Sequence, residues 1–139
     1  MSLNRAKWWI GGVWILGAGS VGLLLALQSL FNHYGQGADE VWAWFLPTVM
    51  PTLSLIVAVL VSDFHAAGGP GGSPQPIVGP WLWLALGLSV TYLLLVALAV
   101  LVPAIRQVPP LETMHRSNLW LGPFQGLTLA ALGAFFRKN

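Results

Sequence analysis

The chain has 139 residues, 56% of them apolar and only 7% charged, and a mean hydropathy of +0.74, whereas a soluble domain carries about 25% charged residues. Six basic and four acidic side chains leave a net charge of +2, too little to build a nucleic-acid surface. The absence of cysteine excludes disulfides, thiolate nucleophiles, iron–sulfur clusters and cysteine zinc sites.

Long apolar runs with almost no charge predict an integral membrane protein of one compact unit, an all-α bundle of four transmembrane helices arranged as two hairpins. The first span is Trp8 to Phe31, about 36 Å of helix against a hydrocarbon layer of roughly 30 Å. Arg5 and Lys7 ahead of it resemble a secretion signal. The run is too long for one, however, and Gln28 is a poor neighbour for cleavage, so it reads as a retained helix. Ala18, Gly22 and Ala26, with Gly19 beside them, form a small-residue face where a second helix can approach.

Asp39 and Glu40 open the second span, Val41 to Val61, and suit the unpaired N–H groups of a helix N-terminus. Within it Pro51 lacks the N–H that the Pro47 carbonyl needs, and its ring crowds that carbonyl, so a kink is expected there. Thr48, Thr52 and Ser54 can return hydrogen bonds to the freed carbonyls, which is the structural reading. The functional reading is a hinge or pore wall. Thr48, Thr52, Leu55, Val59 and Ser62 share one helical face, with hydroxyls at both ends and an apolar middle suited to gating by dewetting. One helix offers little polar surface, so the structural reading takes precedence.

Residues Ser62 to Pro80 read as a flexible linker. Its core HAAGGPGGSPQP is a low-complexity stretch that builds no packed element and offers a place for a protein partner. Asp63 and His65 at its start read as solvated rather than as an acid–base pair. The third span, Trp81 to Val102, is leucine-rich and closed by Pro103. A short interfacial helix follows Pro109 and Pro110, with Glu112 and Arg116 as an i, i+4 pair. The fourth span, Leu119 to Phe136, has Ser117 or Asn118 as its cap. It carries Gly122, Gly126, Ala130 and Ala134 at intervals of four, a stripe expected to pack inside the bundle rather than to form a homodimer.

All eight tryptophans (Trp8, Trp9, Trp14, Trp42, Trp44, Trp81, Trp83 and Trp120) fall near span ends, which suits interfacial anchoring better than cofactor stacking. Four spans put both termini on one side with Arg5, Lys7, Arg137 and Lys138, leaving Arg106 and Arg116 on the other. The basic side predicts cytoplasmic termini in the plasma membrane. The pattern W-x-x-P-x-x-x-x-T-L occurs from Trp44 and again from Trp120. Either this is coincidence, or a hairpin was duplicated, with a pseudo-two-fold axis along the membrane normal. In both copies the proline is expected in a first helical turn, where its missing N–H is harmless.

No charged residue or histidine falls at the centre of any span, which argues against a proton relay, coupled transporter or voltage sensor. Gln28 and Gln125 are expected to hydrogen-bond between helices. His33, Asp39, Glu40, Glu112 and His115 would share one surface without metal-ligand spacing, so no metal and no cofactor is expected. Nor is an enzyme, since no nucleophile, base and orienting group come together. The function expected first is homo-oligomeric assembly into an ion-permeable pore or membrane-perturbing effector lined by span two, with lipids and further copies of the chain as partners. The alternative is a non-catalytic anchor or assembly subunit of a larger membrane complex.

Overall fold

The computed structural model describes residues 3–66 and 79–137. It is all-helical: α1 (Leu3–Leu30), α2 (Ala38–Ala66), α3 (Pro80–Arg106) and α4 (Pro110–Arg137), with a 3-10 turn at Gly35–Gly37 leading into α2. Each of the four helices is long and apolar enough to cross a membrane. Asn32 and Gln107, at φ values of 57° and 53°, take up the left-handed backbone that lets the chain leave α1 and α3.

Several expected boundaries are corrected. Helix α2 continues through Ala66, so the first residues of the expected linker are helical; the glycine- and proline-rich remainder, 67–78, lies outside the described residues. Helix α3 passes through Pro103 and stops only at Arg106. The expected interfacial helix and span four are one continuous helix that runs through Pro123. Ser117 and Asn118 therefore lie within α4 and do not cap it. Pro47 and Pro123 likewise sit well inside their helices, so neither has the first-turn role expected of the Trp-x-x-Pro pattern.

Helix α1 packs on α2 and α3, α2 packs on α4, and α3 and α4 form the most extensive pair. Around the bundle the order is α1–α2–α4–α3. A two-fold axis along the bundle that exchanged the hairpins would place α1 diagonally opposite α3, and α2 opposite α4. Here those pairs are side by side, so the expected pseudo-two-fold arrangement is not the one formed. Lys7 of α1 meets Asp63 of α2 beside Phe136 of α4, which puts the start of α1 and the close of α4 at one end, called here the terminal end. At the other, the loop end, Gly37 lies against Leu111.

The interior is a continuous apolar cluster that includes Ile10, Trp14, Leu25, Ile56, Val96, Leu132 and Phe135. The outside is apolar too, with Leu16, Leu23, Leu94, Leu98 and Leu127 all exposed. In water such a surface would aggregate; in lipid it is the expected exterior. Trp8, Trp9, Trp83 and Trp120 are exposed, but Trp14 is fully buried and Trp44 nearly so. Those two are core residues, not interfacial anchors.

The two small-residue faces behave differently. On α1, Ala18 is buried and Gly22 lies under the Phe45 ring, while Ala26 is half-buried. Close approaches that the stripe did not mark occur at Gly11 and Gly17, where an added Cβ would stand 2.9 Å from Leu60 and 2.7 Å from Leu93. On α4 the expected internal contact is not made. Gly122, Gly126 and Ala130 are exposed, Ala134 is half-buried, and an added Cβ at either glycine would meet open space.

Candidate functional site

The site grows from the backbone chemistry of α2. Pro47 and Pro51 lack N–H groups, so the carbonyls of Ala43 and Pro47 lose their helical donors. The threonines do not repair this as expected, since Thr48 donates instead to the Trp44 carbonyl at 2.6 Å. Repair comes from α4, where Gln125 Nε2 donates to the carbonyls of Pro47 at 3.2 Å and Thr48 at 3.0 Å. From α3 the Tyr92 hydroxyl also reaches the Thr48 carbonyl, at 2.7 Å. One turn nearer the loop end, Trp44 Nε1 donates to Asn118 Oδ1 at 3.0 Å. Gln125 thus has the interhelical role expected of it. Gln28 does not, because it accepts from the hydroxyl of nearby Tyr34, whose burial raises its phenol above the ordinary value of 10.0.

These bonds floor a cleft of about 450 Å³ between α2 and α4, lined by Glu40, Trp44, Thr48, Tyr92, His115 and Gln125 among others. Gly122 borders it and adds no side chain to close it. A second recess of about 300 Å³ lies at the terminal end, between α2 and the start of α1 and the end of α4, and includes Val59, Ser62, Asp63 and Phe136. It contains the Lys7–Asp63 ion pair, 2.7 Å between Nζ and Oδ2, with Lys7 only 6% exposed. Asp63 is therefore the counter-ion of a buried ammonium rather than a solvated linker residue, as its sequence position implied.

Between the two openings lies a layer of hydrogen-bonding side chains, one from each helix: Trp14, Thr52, Ser89 and Thr128, all fully buried. Their common depth follows from the bonds already described. Tyr92 and Gln125 both reach Thr48, Trp14 packs on Tyr92 with ring centroids 5.8 Å apart, and Thr52, Ser89 and Thr128 each lie about one turn, roughly 5 Å, further toward the terminal end. Thr128 donates to the Phe124 carbonyl at 2.8 Å. Trp14 Nε1, Thr52 Oγ1 and Ser89 Oγ have no protein partner. Beyond this layer Leu55, Ile56 and Leu132 close the interior, Ile56 and Leu132 fully buried. From Thr52 to Ala58 at the edge of the second recess the rise is about 9 Å.

The residues predicted as a pore wall therefore look inward. Thr48 and Thr52 are buried, Leu55 and Val59 half-buried and Ser62 exposed at the recess, while Pro47 and Pro51 face out of the bundle. Within the single chain Thr48 and Thr52 are buried against α3 and α4, while the Ser62 hydroxyl is open at the recess. Glu112 and Arg116 form their pair at 2.6 Å on the exposed side of α4. Among the described residues no three His, Asp or Glu side chains could hold a metal ion together. Sequence reasoning missed Tyr92, Ser89, Asn118 and Thr128. The spacing Ser89–Tyr92 on a leucine-rich helix was the one available signal.

Gln125→Leu is expected to cost about 1 kcal/mol, because the Pro47 and Thr48 carbonyls at the floor of the cleft lose the donor that joins α2 to α4. Denaturation in detergent checks this, and a change below about 0.5 kcal/mol would show that the amide bonds contribute nothing net. Compared with known proteins, the chain matches no family model, no curated protein and no solved structure.

Proposed function

We propose that this chain is a multi-pass membrane protein providing a gated ion-permeable path, working as a homo-oligomer with both termini on the cytoplasmic side of the plasma membrane. One observation carries the reading: two recesses holding charged side chains, Glu40 in one and Lys7 with Asp63 in the other, lie at opposite ends of the α2–α4 side of the bundle, with a hydroxyl layer and a short apolar stretch between them. The path belongs to each subunit rather than to the space between subunits, since the hydroxyl face of α2 is internal. Ile56 and Leu132 close it, and an apolar constriction of about 9 Å gates by excluding water rather than by blocking with charge. The basic residues at the terminal end support the orientation.

Purified protein in liposomes provides the test. Ile56→Ser puts a hydroxyl into the constriction and is expected to raise ion flux about tenfold over the unaltered chain. Thr52→Leu lowers it, and the same class of change at exposed Leu94 does not. If inserted protein passes no ion, protons included, either unaltered or as Ile56→Ser, the path is refuted.

A second reading, an assembly subunit of a larger membrane complex, is favoured by the open α4 face at Gly122, Gly126 and Ala130. Purification from the native host in gentle detergent separates the two. A stoichiometric foreign protein supports the subunit reading, and a symmetric self-assembly supports the path.

A further inference from the structure

We infer that the species crossing this path is the proton, carried by water held in the Trp14–Thr52–Ser89–Thr128 layer; the inference rests on the path proposed above and names its permeant. Three fully buried polar atoms without protein partners, Trp14 Nε1, Thr52 Oγ1 and Ser89 Oγ, share one layer at mid-bundle. An unsatisfied buried polar atom costs about 1–3 kcal/mol, and native interiors meet that cost with bound water where the lining is polar. The three atoms supply what a water needs. The indole N–H donates to its oxygen, and each hydroxyl both donates and accepts.

The same inventory sets the permeant. A sodium or potassium ion sheds its hydration only against several oxygen ligands or a charged ring, as selectivity filters provide, and this layer has two free hydroxyls and no carboxylate. An anion would find three donors but no cationic side chain anywhere at this depth, and Lys7, the nearest buried cation, is already matched by Asp63. A proton needs neither. A water that has received an excess proton from the cleft hands one to the Thr52 oxygen and is neutral again, and the hydroxyl proton of Thr52 passes to the next oxygen. Every oxygen ends with as many protons as it began with, and no charge stays in the membrane. Trp14 only donates and cannot relay, so it holds a water oxygen in register. The absence of charged residues at the centre of the spans argues against a relay that stores its proton on a titratable side chain; a file of water and hydroxyls needs no such group, so passive conduction is the form proposed. Tyr92, hydrogen-bonded to the Thr48 carbonyl, stands where the outer cleft meets the layer. On the other side the file must cross Ile56 and Leu132, so conduction waits on transient wetting of that constriction.

The test uses the full chain in vesicles loaded with a pH-sensitive dye, with a valinomycin-driven potassium potential to draw protons inward. Ile56→Ser serves as the background that keeps the path open. Thr52→Val and Ser89→Ala are each expected to slow acidification about tenfold, while Thr52→Ser keeps the rate. Neither apolar variant lowers thermal stability, because each removes a polar atom that has no protein partner. Parallel vesicles without ionophore report potassium and chloride, and neither ion is expected to move. Potassium or chloride crossing at a rate comparable to protons overturns the inference and leaves the path standing, as does proton flux unchanged by both apolar variants. Vesicles through which nothing moves overturn the path itself.

Discussion

Replacing Asp63 with alanine lowers the stability of the bundle by about 2–3 kcal/mol, more than replacing its partner does. The asymmetry comes from where the two charges sit. The Lys7 side chain is 7% exposed and the Asp63 side chain 36%. Removing the carboxylate strands an ammonium among apolar neighbours, and an uncompensated buried charge is among the costliest changes a protein can suffer. Lys7→Met costs less, about 1 kcal/mol, since the freed carboxylate can turn to water and the methionine chain fills the space of the lysine stem. The double change Lys7→Met with Asp63→Leu returns most of the loss, because buried ion pairs contribute little beyond apolar residues of similar volume. Unfolding midpoints of the four proteins in one detergent give the cycle. Equal losses for the two single variants would place Lys7 in water, and an uncorrected double variant would show that the pair does more than neutralise itself.

Much of the architecture was legible because lipid imposes a simple code. Four charge-free runs yielded four helices, and their order followed from chain length alone. Boundaries were less legible, since proline was read as punctuation. Pro103 and Pro123 lie inside helices here, as Pro47 does, whose carbonyl takes a hydrogen bond from Gln125. The hydroxyl face of α2 was visible as a helical stripe, yet whether it faced a sister subunit or the chain's own helices depends on tertiary contacts that periodicity does not encode. Trp14 shows the same limit. Its distance from the span end suggested an interfacial anchor, whereas Tyr92, 78 positions along the chain, makes its place a core one. Asp63 and Lys7 are 56 positions apart, and only the α1–α2 packing brings them together.

The sharpest contrast is expected between two glycines of equal appearance in the sequence. Gly126→Leu is expected to leave the fold of the single bundle unchanged and to abolish the proposed association between copies, whereas Gly17→Leu damages the fold itself. At Gly126 an added Cβ meets nothing within 4 Å, so the bundle accepts the larger side chain without strain. At Gly17 the first carbon already stands 2.7 Å from Leu93, and a whole leucine must push α1 off α3, which typically costs about 1–3 kcal/mol. The consequence for association runs the other way. Between helices in lipid no hydrophobic effect acts, so attraction depends on how closely backbones approach, and the Gly122–Gly126–Ala130 face is an exposed surface of small residues that allows close approach. A leucine there holds a partner helix several ångströms away and forfeits most of that contact. Fluorescence-transfer measurements in bilayers, diluted over a wide lipid-to-protein range, read association, and detergent unfolding reads the fold. Gly126→Leu protein that still self-associates at the unaltered affinity would rule out the α4 face as the contact between copies of the chain.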